Sequence, residues 1–184
     1  RLITVEEVAE LALVRDAWVS LESWLGDGKG KGVDMRQLVL GALRMRPDRL
    51  VVGDVRGAEA FELVTALGGS IDGAVVGAGG EGGTQAVHRL SLLARASGAT
   101  GGPGDPSMVG LVASAFDVAV HVVRGADGVV RIAAIEEVVA NPNGFDTVPL
   151  FTWNGGSFAA TGSMPRFWNE LSGRGIPADA GLFR

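Results

Sequence analysis

The sequence predicts an α/β protein in which a parallel sheet is followed by an antiparallel hairpin and a short helical tail. Three observations indicate this fold class. Short apolar runs alternate with helical patterns through the first two thirds of the chain, as in parallel α/β sheets. Two β-branched runs then flank an Asp-Gly step, which is typical of a hairpin. Finally, Pro165 precedes a helical pattern over about 166–171 that stops at Gly173.

The parallel part is predicted as four strands and four helices. The strands are the apolar or β-branched runs 2–5, 18–21, 50–53 and 74–76. The helices cover 35–43, with Asp34 as N-cap, then 58–67, a pattern that carries Val87, Leu90 and Leu93, and 107–116. Because Leu2 opens a strand almost without lead-in, we expect further chain before Arg1.

The antiparallel part is predicted from the alternation in residues 117–139. Val118, Val120 and Val122 fall on one face of a first strand, since successive strand side chains point to opposite faces. A turn at 126–128 leads into a second strand over 129–139. A third strand near 148–153 extends the pair.

Composition predicts one soluble domain without disulfides. The 184 residues include no cysteine, and 47% of them are hydrophobic, with a mean hydropathy of +0.28. No apolar run reaches the roughly 18 to 20 residues that span a bilayer, and the N-terminus lacks a secretory signal pattern, so we expect a cytoplasmic chain. The net charge of −5 argues against nucleic acid as a partner. Two isolated histidines, His88 and His121, predict no zinc site.

Asp54 is the first candidate site residue. It directly follows an apolar run that suits a strand buried on both faces of a parallel sheet. Ligands of open α/β sheets bind beyond the carboxyl ends of strands, so an acid at this point suits a site. The position alone leaves an alternative open, because an Asp at a strand end also serves as a helix cap or turn residue.

Four segments resemble the secretion-ATPase superfamily, specifically the Tad/Flp pilus-assembly ATPases related to the type II and type IV secretion motors. Residues 43–64 (LRMRPDRLVVGDVRGAEAFELV) resemble its Walker B segment. Residues 4–11 (TVEEVAEL) resemble its acidic box, residues 112–128 its late helix and hairpin, and residues 158–176 its C-terminal tail. The resemblance therefore covers essentially the whole chain.

The resemblance implies a RecA-like P-loop NTPase core that works as a hexameric ring. Such motors hydrolyse ATP with Mg²⁺ in the cytoplasm, at the inner membrane, and drive pilus assembly or export through a membrane platform protein. By the same resemblance Asp54 takes the Walker B position, Glu6 and Glu7 belong to the acidic box, and Arg46 and Arg56 contact nucleotide. Position alone leaves other roles open: the glutamates also suit a solvated strand end, and Arg56 suits a local partner for Glu59.

Several residues that phosphoryl transfer needs are missing from the sequence. A phosphate loop of the form GxxxxGK[ST] is absent, and GDGKGKG over 26–32 lacks the hydroxyl residue after its lysines. We therefore expect the core to be partial, without its first strand and phosphate loop. The family's Walker B acid is normally Glu, whereas this chain has Asp54. Ile71 and Gly79 stand where the family has histidines, and Trp24 where it has an arginine. By the resemblance these three positions face the phosphates.

Two hypotheses remain from the sequence. In the first, residues 1–184 are the C-terminal portion of a motor ATPase domain that cannot hydrolyse ATP as it stands. In the second, the chain belongs to a non-catalytic paralogue with a structural or regulatory role beside an active ATPase. The coding sequence before Arg1 separates them: an in-frame phosphate loop supports the first, and a start codon near Arg1 the second.

Overall fold

The chain folds into two four-stranded sheets, one parallel and one antiparallel. The structure is a computed structural model that describes residues 1–13, 15–26, 32–69, 71, 73–97, 106–177 and 179–184. The strands are β1 (Leu2–Glu6), β2 (Trp18–Glu22), β3 (Arg49–Val52), β4 (Ala74–Val76), β5 (Val118–Arg124), β6 (Val130–Asn141), β7 (Gly144–Trp153) and β8 (Phe158–Ala160). The helices are α1 (Met35–Arg44), α2 (Glu59–Leu67), α3 (Gly83–Ala96), α4 (Pro106–Ala115) and α5 (Trp168–Gly173), followed by a 3-10 helix (Ala180–Phe183). The mixed α/β class expected from the sequence is confirmed.

The first sheet is entirely parallel, with the strand order β2-β1-β3-β4. Its register sets Val5 beside Val52, and the amide of Gly53 donates to the carbonyl of Val5 at 2.9 Å. The carboxyl ends of β1 and β3 therefore lie side by side. Residues that follow these two strands are brought to one edge of the sheet.

Helices α1 to α4 share one hydrophobic core with one face of the parallel sheet. Alternate strand residues on this face, Ile3, Val5, Leu50 and Val52, are at most 1% exposed and belong to the same core as the helices. Leu63 of α2 is completely buried in that core. Burying a side chain of this size contributes about 1.5–3 kcal/mol, so this layer fixes the strands that carry the sheet edge.

Helix α1 begins where the sequence predicts. Asp34 has an extended backbone, and its carboxylate accepts the amide hydrogen of Gln37 at 2.8 Å. The Gln37 side chain in turn accepts the Asp34 amide hydrogen at 3.1 Å, which completes a capping box.

Removing this cap gives a first test of the fold. Asp34→Ala leaves the Gln37 amide in the first helical turn without its acceptor, so we expect a loss of about 1 kcal/mol in the free energy of unfolding. Asp34→Asn, which retains an acceptor, should lose little. Urea unfolding followed by circular dichroism measures both, and equal losses for the two variants would contradict the capping role.

The second sheet contains more than the predicted hairpin and third strand. Its order is β5-β6-β7-β8, all antiparallel. The hairpin of β5 and β6 is confirmed, with alternating exposure along β5, a register shift between His121 and Val122, and Gly128 at φ +77° in the turn. Strand β7 begins four residues earlier than expected, and β8 was not predicted.

Two polar contacts join the antiparallel sheet to the start of α3. The Glu136 carboxylate on β6 accepts the amide hydrogen of Gly83 at 2.7 Å, at the first residue of the helix. The hydroxyls of Thr84 and Thr147 lie 3.1 Å apart. A carboxylate at a helix N-terminus is favoured by the helix dipole, so this contact holds the two layers together.

None of the helices in the part of the chain that the structure describes has the length and apolar character needed to cross a membrane.

Candidate functional site

Four of the five predicted site residues meet at the carboxyl edge of the parallel sheet. Glu6 ends β1 and Glu7 follows it, and Asp54 and Arg56 follow the neighbouring strand β3. All four line one open cavity of about 400 Å³. Parallel strand order therefore collects, into one cleft, acids that are almost 50 positions apart in sequence.

Glu6 is the most deeply placed acid of this cleft. Its residue is 3% exposed, and its Oε1 accepts the amide hydrogens of Glu10 and Leu11, both at 2.9 Å. Its Oε2 is buried and has no hydrogen-bond partner. A buried carboxylate oxygen without a donor is unfavourable, so this atom is suited to a cation or a water held by one.

The backbone at Asp54 is strained. Asp54 has φ +38°, in the left-handed region that few residues other than glycine adopt. Gly77, after the adjacent strand β4, makes this path possible, because a Cβ there would lie 2.8 Å from the Asp54 amide nitrogen. The Val55 amide then donates to the carbonyl of Gly77 at 2.7 Å. The chain thus turns sharply at the end of β3 and presents the Asp54 side chain to the cleft.

Arg56 forms ion pairs across the cleft. Its Nε donates to Asp54 Oδ2 at 2.6 Å, its Nη2 contacts the same oxygen, and its Nη1 lies 3.9 Å from Glu7 Oε2. The hydrogen bond to Asp54 and the charges of Asp54 and Glu7 raise the pKa of the guanidinium. The Arg56 and Asp54 side chains are 65% and 49% exposed, and ion pairs exposed to this extent contribute only about 0–1 kcal/mol. An anion that binds the Arg56 guanidinium more strongly than the Asp54 carboxylate does would therefore displace Asp54.

Glu59 was considered in the sequence only as a partner for the Arg56 side chain. In the structure Glu59 is 5% exposed, and its Oε1 accepts the backbone amide hydrogens of Arg56 and Gly57, both at 2.8 Å. It therefore holds the turn between Asp54 and α2, and the guanidinium remains directed at the cleft. An acid in the first turn of a predicted helix was the available signal for this role.

Arg46 lies away from this cleft. It follows α1 and precedes β3 with φ +51°, so it lies at the amino edge of the sheet, whereas Asp54 lies at the carboxyl edge. The structure does not bring these two residues together. A role for Arg46 in nucleotide binding stays a prediction and would require contact from another subunit.

The altered positions lie at two different edges of the sheet. Trp24 follows β2, is 52% exposed and pairs through its backbone with Val33; Gly79 follows β4. Both are therefore at the edge that carries Asp54. Ile71 precedes β4 and packs against the core at the amino edge, so the expectation that it faces the same site as Gly79 is corrected.

The cleft offers acids for a Mg²⁺ ion but no complete set of protein ligands. Among the described residues there is no group of three or more His, Cys, Asp or Glu side chains arranged to hold a metal. Mg²⁺ commonly keeps several waters and binds through one or two carboxylates together with substrate phosphates. The unpaired Glu6 Oε2 fits that mode of binding.

Comparison with known proteins agrees with this geometry. The profile of the family described as "Type II/IV secretion system protein" matches residues 1–126, which include the sheet-edge acids Glu6, Glu7 and Asp54. The chain belongs to this family. The expected membership of the type II/IV secretion ATPase superfamily is thereby confirmed.

The matches with individual relatives cover most of this chain but less than half of each relative's own length. A putative conjugal transfer protein of Mycobacterium tuberculosis is 40% identical over 141 residues, which are 73% of this chain and 38% of that protein. Protein VirB11 of Agrobacterium fabrum is 30% identical over 65% of this chain and 35% of its own. The crystal structure of the VirB11 ATPase from the Brucella suis type IV secretion system, in complex with sulphate, superposes with a TM-score of 0.58 at 26% identity, covering 74% of this chain and 40% of that one.

Proposed function

We propose that the chain is the C-terminal portion of a RecA-like motor ATPase domain from a secretion or Tad/Flp pilus-assembly system. The observation that carries the proposal is the meeting of Glu6, Glu7, Asp54 and Arg56 in one cleft at the carboxyl edge of a parallel sheet. Nucleotides bind at this edge in α/β proteins. Family membership and the likeness to the VirB11 ATPase support the same function.

Each cleft residue has a distinct role in this proposal. Bound Mg²⁺ would neutralise charge on the transferring phosphoryl group. Glu6 would meet the ion or one of its waters through Oε2, because that oxygen is buried without a partner. Asp54 would orient the attacking water from the Walker B position, and Glu7 would add negative charge beside it. Arg56 would exchange Asp54 for a phosphate oxygen, since the exposed ion pair between them is weak.

The remaining functional expectations follow from the same proposal. The whole protein would work as a homo-oligomer, a hexameric ring, in the cytoplasm next to the inner membrane. Its partner there would be the platform protein of a secretion or pilus system. Hydrolysis needs a phosphate loop, which the 184 residues lack.

A second candidate function is that of a pseudo-ATPase subunit. It is favoured by the pairing of Arg56 with Asp54, which occupies the Walker B carboxylate that would otherwise orient a water. Asp is also one methylene shorter than the usual Glu, and displacements near 1 Å can cost about 10²-fold in rate. In that case the chain would complete a ring beside an active ATPase.

The isolated chain is expected to show no Mg-ATP hydrolysis above the buffer rate and no heat of ATP binding at micromolar concentrations. Without the backbone amides and lysine of a phosphate loop, most of the triphosphate charge stays uncompensated. Phosphate release and isothermal titration calorimetry measure these two quantities. A rate that follows the protein through purification and disappears in Asp54→Ala would contradict the proposal, whereas a rate unchanged by Asp54→Ala would indicate a contaminant.

A further inference from the structure

The turn between β7 and β8 exposes an asparagine that is followed by a glycine. Asn154 and Gly155 come directly after Trp153, the last residue of β7, and both are exposed to solvent. Gly155 has φ +91°, which glycine adopts without steric cost. Because Gly155 has no Cβ, its amide nitrogen is little shielded from the side chain of Asn154.

The side-chain oxygen of Asn154 accepts three hydrogen bonds. Its Oδ1 lies 2.8 Å from the Ser157 amide nitrogen, 3.1 Å from the Gly156 amide nitrogen and 3.3 Å from the Ser157 hydroxyl. These donors face the oxygen on which negative charge develops when a nucleophile attacks Cγ, so they stabilise that charge. The Gly155 amide donates no hydrogen bond to any residue that the structure describes, so it is available as the nucleophile.

A second Asn-Gly step lies in the turn between β6 and β7 and has a different environment. Gly144 is buried, and as the first residue of β7 it pairs with Asn141, the last residue of β6. Asn143 is bonded only through its backbone amide, which donates to Asn141 Oδ1 at 2.9 Å, and among the described residues no donor meets its own Oδ1. A reaction at the Gly144 nitrogen would disturb the strand pairing, so this step is protected.

We propose that Asn154 is a modification site at which the side-chain amide is lost by deamidation, with water as the only co-reactant. The deprotonated Gly155 amide nitrogen attacks Cγ of Asn154 and forms a C–N bond, and the side-chain nitrogen takes up a proton and leaves as ammonia. Water then opens the resulting succinimide at either carbonyl carbon, which gives aspartate or isoaspartate. Over both steps one water is consumed and one ammonia is released. Because hydroxide removes the amide proton, the rate rises with pH.

Isoaspartate at position 154 loosens the edge of the antiparallel sheet. Its extra backbone methylene separates the amide of residue 154 from the Ser157 carbonyl, which it meets at 3.1 Å, next to the pairing of Trp153 with Phe158. Strand β8 has only three residues, so little else holds it in place. The Phe158 ring stacks on Phe151 at 5.7 Å, and this contact is lost when β8 detaches.

The reaction needs neither nucleotide nor metal, so its test is independent of ATP hydrolysis. The whole protein is incubated at mildly alkaline pH, and peptide mass spectrometry follows the exchange of the side-chain NH₂ for OH. In the folded protein Asn154 should convert at least about tenfold faster than Asn143, because only Asn154 has oxyanion donors and a free neighbouring amide. In urea the two rates should agree within about threefold, since the fold no longer distinguishes the two Asn-Gly steps. Equal rates in the folded protein, or a faster reaction at Asn143, would overturn the proposal.

A second measurement tests the structural consequence. Chymotrypsin, which cleaves after aromatic residues, should cut after Phe158 at least about threefold faster in aged than in fresh whole protein, because a loosened strand is open to proteolysis. Asn154→Gln is the matched control, since a glutamine would have to close a larger and less favourable ring. Ageing should not change its cleavage rate. The same acceleration in Asn154→Gln as in the original protein would show that modification of Asn154 is not what loosens β8.

Discussion

A chimera that joins the upstream half of an active relative, with its phosphate loop, to Arg1 should hydrolyse Mg-ATP at least about 10²-fold faster when it carries three substitutions together. These are Asp54→Glu, Gly79→His and Trp24→Arg. The gain is expected because groups that act on one transition state are strongly non-additive. The three positions follow β3, β4 and β2, so all lie at one edge of the sheet. Gly79 accepts a side chain without strain, since a Cβ there would meet only the Arg89 guanidinium, at 3.5 Å.

The structure supplies a matched control for this experiment. Ile71→His restores the other histidine of the family pattern, but at the amino edge of the sheet, and should leave the rate within about twofold of its parent, since it cannot reach the cleft. Asp54→Glu alone should recover little. Steady-state phosphate release gives kcat and KM for each variant. Full recovery from Asp54→Glu alone, or a large gain from Ile71→His, would contradict the assignment of the phosphate side to Gly79 and Trp24.

Leu63→Ala is expected to lower the free energy of unfolding by about 3 kcal/mol, within the range of about 2–5 kcal/mol for buried leucines. Leu63 of α2 is completely buried in the core that also contains residues of β1 and β3, so the change leaves a cavity in that core. Leu92→Ala is the matched control: Leu92 is 59% exposed on α3, and its truncation should change stability by no more than about 0.5 kcal/mol.

Urea unfolding monitored by tryptophan fluorescence measures both leucine variants. Similar losses for both variants would mean that α2 does not pack on the sheet as described.

The parallel half of the fold was predictable because its signals are local. Capping by Asp34, helical spacing in α1 and α2, and apolar runs at β1 and β3 each depend on a few neighbouring residues. The hairpin was predictable for the same reason, since the Asp-Gly step specifies its turn. The start of β7 and the whole of β8 were missed because their pairing partners, not their own sequence, determine where they begin and end.

The site could be predicted only as a set of strand-end residues. That Glu6, Glu7 and Asp54 share an edge follows from parallel pairing of β1 with β3, which sequence pattern suggests but does not specify. The hydrogen bond from Arg56 to Asp54 depends on the positive φ at Asp54, and no local pattern indicates such a backbone. Ile71 was assigned to the wrong edge because residues on either side of a three-residue strand look equivalent in sequence.

The left-handed backbone at Asp54 also has a consequence for directed evolution. Glycine adopts such a φ without steric cost, whereas a non-glycine residue in this region costs on the order of 1 kcal/mol. A library screened only for thermal tolerance should therefore enrich Asp54→Gly, and the enriched clones would lose the Asp54 carboxylate from the cleft. Under the proposed function, stability and activity are selected in opposite directions at Asp54, so a screen on this scaffold needs a functional readout from its first round.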